Sequence, residues 1–168
     1  MMQILDVNKF LLSLAVAIAS RSGLVFDTAG QTAPRSLWLH ETPERLAADP
    51  ATSLRIYGGT MPSGLICRPT VSLQQMTLGK DAALVLGQAM LVHQAMLNDA
   101  GQPQSLWAIP GKRMNAGVVE TDPDRDWEVK LAMPLQRPGI IGRDESGLRW
   151  IASGNWDIEF FEKLKNAG

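Results

Sequence analysis

The sequence predicts an α+β fold, a single domain in which a mostly antiparallel sheet has two main helices packed on it. Two apolar stretches with helical periodicity, one near the N terminus and one in mid-chain, predict the helices. Two long stretches of alternating apolar and polar residues near the C terminus predict the sheet. Because 168 residues suffice for one core, we treat residues 1–168 as one domain.

The amino-acid composition argues against two classes of partner, nucleic acids and membranes. The formal net charge is −1 and charged residues make up 20% of the chain, with no basic stripe and no basic amphipathic face. We therefore expect no direct nucleic-acid recognition and no membrane partner. The single cysteine, Cys67, excludes an internal disulfide and a multi-cysteine metal site. The apolar run at residues 10–19 is shorter than the roughly 20 residues that cross a bilayer, which favours a core or interface helix.

The first predicted helix spans about residues 4–20. Arg21 falls in its last turn, where a cation suits the helix dipole, and Gly23 follows as a stop signal. A short extended piece at 24–26, a loop and a strand at 36–40 should come next. The apolar residues that recur at helical spacing are Ile4, Val7, Leu11, Leu14, Ala15 and Ile18.

Residues 41–69 form the segment with the weakest pattern. The segment contains four prolines and the Gly58–Gly59 pair. Within it we predict one helical turn at 44–48, a strand at 53–57, and a return strand or arm at 61–67. Long, weakly patterned segments in compact domains are usually functional, so we expect an irregular contact loop here.

The central stretch, residues 68–98, predicts a strand, a short turn and a helix. Gly79 and Lys80 break the strand pattern, and Asp81 can cap a helix over residues 82–97. This helix is apolar on nearly every side. One stripe, Val85, Ala89, Val92 and Met96, should cover the sheet. The other should meet either the N-terminal helix or a neighbouring subunit: Leu84, Gln88, Leu91 and Ala95.

The C-terminal part predicts a strand at 105–109, an exposed contact loop at 112–126, and strands at 127–135 and 148–160. Pro134 cannot donate to a ladder, so its strand should lie at an edge or end there. Gly154 should mark a bulge. Residues expected on one face of the first long strand are Trp127, Val129, Leu131, Met133 and Leu135.

The sequence lacks the patterns that mark common catalytic and metal sites. His93 is expected to be a hydrogen-bonded histidine in the core or at an interface. His40 has no nucleophile nearby in the sequence. Asp122, Asp124 and Asp126 have the spacing that opens a calcium loop, but the glycine and glutamate that such a loop needs are missing. We therefore interpret them as a solvated acidic loop, and expect no enzyme activity, no catalytic residue, no metal and no cofactor.

Interface residues are the remaining candidates for a functional site. They come from the two contact loops, from the strand before the first loop, and from a charged turn at 143–145. Trp107 is a further aromatic anchor of the kind that interfaces favour. The interface candidates are Trp38, His40, Glu41, Tyr57, Arg113, Asp124, Arg143, Asp144 and Glu145.

The order of elements resembles that of the tail terminator and minor tail proteins of long-tailed bacteriophages. A long N-terminal helix, a variable proline-rich segment, a strand–helix unit and a C-terminal strand pair follow one another in both. The closest stretches are residues 68–75 with the helix after them, and residues 138–149 followed by Ser-Gly-Asn-Trp-Asp-Ile at 153–158. Together they cover about half of the chain.

The resemblance implies a structural virion protein at the tail–neck junction, assembled in the host bacterial cytoplasm. It implies a closed ring of six copies that stops tail tube polymerisation, with the tube protein and a head-completion or neck protein as partners. A head-closure or tail-completion connector is an alternative. A small ligand-binding domain or enzyme is another, and would need a pocket around His40, Glu41 and Arg143.

Overall fold

The computed structural model, which describes residues 6–60 and 69–165, confirms the predicted α+β fold with two helices on a mostly antiparallel sheet. Asp6 and Asp81 cap the helices by accepting from backbone amides of the first turn. The elements in chain order are α1 (Val7–Ser22), β1 (Leu37–Leu39), β2 (Ala51–Thr60), β3 (Thr70–Gly79), α2 (Ala82–Ala95), β4 (Gln104–Ile109), β5 (Lys112–Asn115), β6 (Val118–Thr121), β7 (Arg125–Arg143) and β8 (Trp150–Leu164).

Six strands form the main sheet in the order β1-β2-β3-β8-β7-β4. Only β1 and β2 pair in parallel; the other neighbours are antiparallel. Both helices lie on the same face of this sheet, since their buried side chains join the buried side chains of β3, β7 and β8 in one cluster. The opposite face is polar, and Ser72 and Gln74 form side-chain hydrogen bonds there with Asp157 and Ser153.

Strand β8 anchors both helices. Phe10 of α1 stacks on Phe160 with ring centroids 3.9 Å apart, and Trp127 meets Phe10 edge-on at 5.5 Å. Under α2, Trp156 donates its indole N–H to Gln75 Oε1, and Gln75 Nε2 donates to the Ala89 carbonyl. The aromatic stack and the buried amide thus fix the two helices over different parts of one strand.

The two helices follow the prediction closely. α1 ends where Gly23 adopts φ +78°, the left-handed cap conformation that glycine tolerates. The helix extends to Ser22, two residues beyond the predicted end, while predicted positions 4 and 5 lie outside the described residues. The extended piece at 24–26 is not a strand, although the Val25 carbonyl accepts from two amides at the start of β1.

The interpretation of residues 41–69 as irregular was partly wrong. Residues 51–60 form the full-length strand β2, so the predicted strand at 53–57 is present but longer, and 44–48 are not helical. The glycine pair lies within this strand, and glycine is needed at Gly59 because β2 and β3 approach closely there. A Cβ atom on Gly59 would lie 2.2 Å from the Thr70 carbonyl oxygen, and its φ is +145°. The predicted arm at 61–67, with Cys67, lies outside the described residues.

The interpretation of residues 112–126 as an exposed loop was also wrong. β5 and β6 form a hairpin whose turn residues, Ala116 and Gly117, both have positive φ. Asp122 is 2% exposed rather than solvated, because Arg125 lies 3.4 Å from its carboxylate. Arg125 also pairs with Glu162 at 2.9 Å, which joins the start of β7 to β8.

Bulges change the pattern of the long strands. A register shift between Val129 and Leu131 reverses the faces, so that Met133 and Leu135 are exposed instead of facing the core. Pro134 lies at an edge, as predicted, because β4 pairs with β7 only as far as Ala132, but β7 does not end there. The bulge opposite Gly154 is in β7, where Arg137 and Pro138 are the extra residues.

We predict that Phe10→Ala lowers the free energy of unfolding by about 3–5 kcal/mol, because it removes the ring stacked on Phe160 and leaves a cavity. Chemical denaturation followed by tryptophan fluorescence measures the change. Leu148→Ala is the control, since Leu148 is 75% exposed and should change stability by less than about 0.5 kcal/mol. Equal stability of the two variants would contradict the proposed packing.

Candidate interaction surfaces

The outer face of α2 is apolar, and no element among residues 6–60 and 69–165 covers it. No charged residue occurs between Asp81 and Asp99. The stripe predicted to cover the sheet, Val85, Ala89, Val92 and Met96, is buried as expected. On the far side of the helix Leu84 is 61% exposed and Leu91 47% exposed. An uncharged helix with exposed leucines is a candidate contact surface.

The second predicted stripe divides between two environments. Ala95 packs in the core cluster that also contains α1, and Gln88 donates to the Thr52 hydroxyl. Leu84 and Leu91 remain exposed. The N-terminal helix therefore covers only the C-terminal end of this stripe, and the two leucines have no partner within the described part of the chain.

The free part of β7 is a second apolar surface. Beyond Ala132, β7 runs to Arg143 without a neighbouring described strand on its outer side. Leu135 and Ile141 are each more than half exposed in this part. Arg137 lies between these two residues along the strand, and Arg143 follows Ile141. Neither arginine forms an ion pair with a described residue.

The charged turn after β7 is held by its own side chains. Asp144 accepts from Ser146 Oγ at 2.6 Å and from Arg149 Nε at 2.7 Å. The Ser146 hydrogen bond and then Arg149 lower the pKa of Asp144 to about 2. Arg143 lies over the Trp150 ring at 4.3 Å. Two of the three predicted interface residues here therefore shape the turn, while Glu145 is exposed.

On the opposite edge of the sheet lie four more predicted residues. Trp38 is half-buried, and its ring lies against the Arg35 guanidinium at 4.4 Å. His40 is exposed, with φ +66°, and donates its backbone N–H to the Leu54 carbonyl. Glu41 is exposed beside it, and Tyr57 is 54% exposed at a bulge of β2. Three of these four residues are exposed, and Trp38 is the half-buried one.

The remaining predicted residues lie on or beside the hairpin. Arg113 pairs with Glu120 at 2.6 Å across the hairpin, and Asp124 is exposed just after it. Trp107 is half-buried, with the Arg21 guanidinium 5.7 Å from its ring. The nine candidates thus fall into three places rather than one site.

Sequence reasoning missed one exposed residue with unusual geometry. Leu106 on the edge strand β4 is 67% exposed and has φ +52°. A leucine in this region is strained. Leu106 lies between two paired positions of β4, opposite Lys130, where the pairing of β7 with β8 shifts register. No local sequence signal marks it, since this conformation depends on how β4 and β8 pair with β7.

The described fold separates the three residues that the ligand-binding alternative would bring together. His40 and Glu41 lie at the β1–β2 edge, whereas Arg143 lies on β7, with β3 and β8 between them. A cavity of about 490 Å³ opens elsewhere, between residues 44–49 and the turn at 146–149. Within the described residues, no group of three histidine, cysteine or acidic side chains could hold a metal ion.

His93 is a core histidine, but it is not fully satisfied. It is 4% exposed, its ring lies 4.8 Å from that of Trp156, and its buried Nδ1 has no hydrogen-bond partner. Burial lowers the pKa of His93, and the positive charge of Arg137 lowers it further. The histidine is therefore held neutral beneath α2.

Comparison with known proteins adds no family. A scan against protein family models finds no match to this chain, and a search of curated proteins finds no significant relative. Neither helix among residues 6–60 and 69–165 has the length and apolarity to cross a membrane.

We predict that stability falls on mild acidification because of His93. Its folded-state pKa lies below the value of about 6.5 for a free histidine, so the unfolded chain binds the proton first. The stabilising contribution is complete above pH 6.5 and is lost as pH falls toward the folded pKa. Denaturation between pH 7.5 and 5 should show a steeper decline for the wild type than for His93→Gln, and parallel curves would contradict this role.

Proposed function

We propose that the protein is a ring-forming tail terminator, which caps the head-proximal end of a phage tail tube and joins the tail to the neck. The observation that carries the proposal is the uncharged outer face of α2, where Leu84 and Leu91 stay exposed. An exposed apolar face adds no buried area to the core of the domain, so we take it to be a surface that binds a partner protein.

The distribution of surfaces supports more than one partner. The α2 face, the free β7 edge and the β1–β2 edge lie on different sides of the described domain. A closed ring needs two different patches on each subunit, one for each neighbour. A terminator must also bind the tube below and the neck above, which the surfaces that remain would serve. Balanced charge agrees with protein partners rather than nucleic acid.

The order of elements agrees with the resemblance noted from the sequence. The strand–helix unit and the long C-terminal strand pair are present as β3–α2 and β7–β8. A head-closure or tail-completion connector would use the same kinds of surface. Ring symmetry separates these two functions.

The test is electron microscopy, with analytical ultracentrifugation, of the purified full chain alone and mixed with a phage tail tube protein. We expect six-fold rings, and tubes that stop growing with such a ring at one end. A twelve-fold ring that binds a portal instead of a tube would favour the connector. A chain that stays monomeric under both conditions would overturn the ring.

We predict that the double substitution Leu84→Lys with Leu91→Lys abolishes assembly and leaves the monomer folded. Both side chains are exposed, so stability should change by less than about 0.5 kcal/mol, whereas two charges in an apolar interface prevent its burial. Sedimentation and tube-capping assays give the readout. The matched control is Leu164→Lys, also exposed but at the end of β8. Normal capping by the double variant would exclude the α2 face.

A further inference from the structure

We propose that a small pocket between α1, β1 and the β5–β6 hairpin binds a carboxylate carried on a short apolar chain, and that Arg35 recognises the carboxylate. The pocket is lined by residues of these elements and of the segment before β1, and by none of α2. Binding at this pocket is therefore independent of the α2 face and of the proposed ring.

The walls of the pocket are mostly apolar. Its volume is about 270 Å³. Ligand pockets of about 300–1,000 Å³ hold drug-sized molecules, so this pocket suits a short carbon chain and not a large cofactor. The Lys112 N–H donates to Ser13 Oγ at 2.8 Å, which holds the start of the hairpin against α1. The apolar residues that line the pocket are Leu12, Phe26, Leu39, Met114 and Val119.

Arg35 is the one cation among the described residues that line the pocket. Its guanidinium carbon lies 4.5 Å from the ring centre of Phe26 and 4.4 Å from that of Trp38, and its Nε donates to the Leu37 carbonyl at 3.0 Å. The N–H groups of Nη1 and Nη2 have no hydrogen-bond partner among the described residues. This free end of the guanidinium has the fork geometry that matches a carboxylate.

No described carboxylate pairs directly with Arg35. Asp27 also lines the pocket, but it is exposed and its Oδ1 accepts from the Ala29 N–H at 3.0 Å. Burial lowers the pKa of Arg35, and the charge of Asp27 raises it. The guanidinium has thus lost part of its hydration without gaining a direct anionic partner, which a ligand carboxylate would supply.

The backbone holds the arginine and its aromatic neighbour together before a ligand binds. Val25 donates its N–H to Ser36 Oγ at 2.9 Å, and its carbonyl accepts from the Ser36 N–H at 2.8 Å. Phe26 follows Val25 and Arg35 precedes Ser36, so this pairing brings the ring and the guanidinium side by side. Groups that are already in place lose less conformational freedom on binding.

The test is a nuclear magnetic resonance titration of the isotope-labelled full chain with sodium hexanoate. We expect saturable shifts of the Leu39 and Val119 amide signals and of the Arg35 Nε–H signal, with half-saturation at about 1 mM or below. Hexan-1-ol lacks the charge and acetate lacks the chain, so each should bind at least about tenfold more weakly than hexanoate.

Three variants examine the charges. Arg35→Met keeps an apolar side chain beside the rings but removes the cation, and should weaken hexanoate binding by about tenfold or more. Asp27→Asn removes a nearby negative charge and should tighten binding by about twofold or more. Arg45→Met is the matched control, since Arg45 is exposed and does not line the pocket, and should bind hexanoate as the wild type does. Circular dichroism checks that each variant folds.

The proposal is overturned if hexanoate gives no saturable shift, if hexan-1-ol binds equally well, or if Arg35→Met binds as the wild type does. Weaker binding to Asp27→Asn would also contradict it. A short peptide that ends in leucine, with its carboxyl terminus free or amidated, then distinguishes two sources of the same chemistry. Tighter binding of the free-acid peptide than of hexanoate identifies a polypeptide terminus as the ligand, and tighter binding of hexanoate identifies a free organic acid.

Discussion

The pairing of β7 with β8 is the constraint on which the rest of the domain depends. Strand β8 presents Phe160 to α1 and Trp156 to the region beneath α2, so both helices take their positions from one strand. Strand β3 flanks β8 on one side and β7 flanks it on the other. Loss of this pair would leave each helix without the surface that buries it, which explains why the longest strands carry the largest buried rings.

Local chemistry decided which elements the sequence could predict. Asp81, the break at Gly79 and the apolar stripe of α2 lie within a few residues of one another, and the predicted strand–turn–helix unit is present. The failures involve partners distant in sequence. The exposure of Leu135 follows from a bulge set by pairing with β8, and the burial of Asp122 follows from Arg125 and its contact with Glu162. Periodicity cannot reveal either.

The candidate site was harder to predict than the fold because exposure is a property of the assembled domain. Arg143 and Asp144 carry the charges expected of an interface. In the structure, however, Arg143 stacks on Trp150 and Asp144 closes a turn. The stripe that contains Leu84 and Leu91 was expected to meet either the N-terminal helix or a neighbouring subunit, and the structure shows that no described element covers the two leucines. Glu41 and Tyr57 were named from the sequence, and the structure leaves both exposed at the β1–β2 edge.

The occupied edge of β1 and the proline-bearing edge of β7 have a consequence for newly made chains. Open sheet edges invite unlimited growth into fibres, and this domain also exposes many large apolar side chains. Hydrogen bonds with Val25 and Arg35 already use part of the β1 edge, and Pro134 and Pro138 interrupt the donors of β7, so these edges offer fewer backbone groups for amyloid-like stacking of newly made chains. A contact made by side chains, unlike the addition of a strand, has a finite size set by their shape and charge.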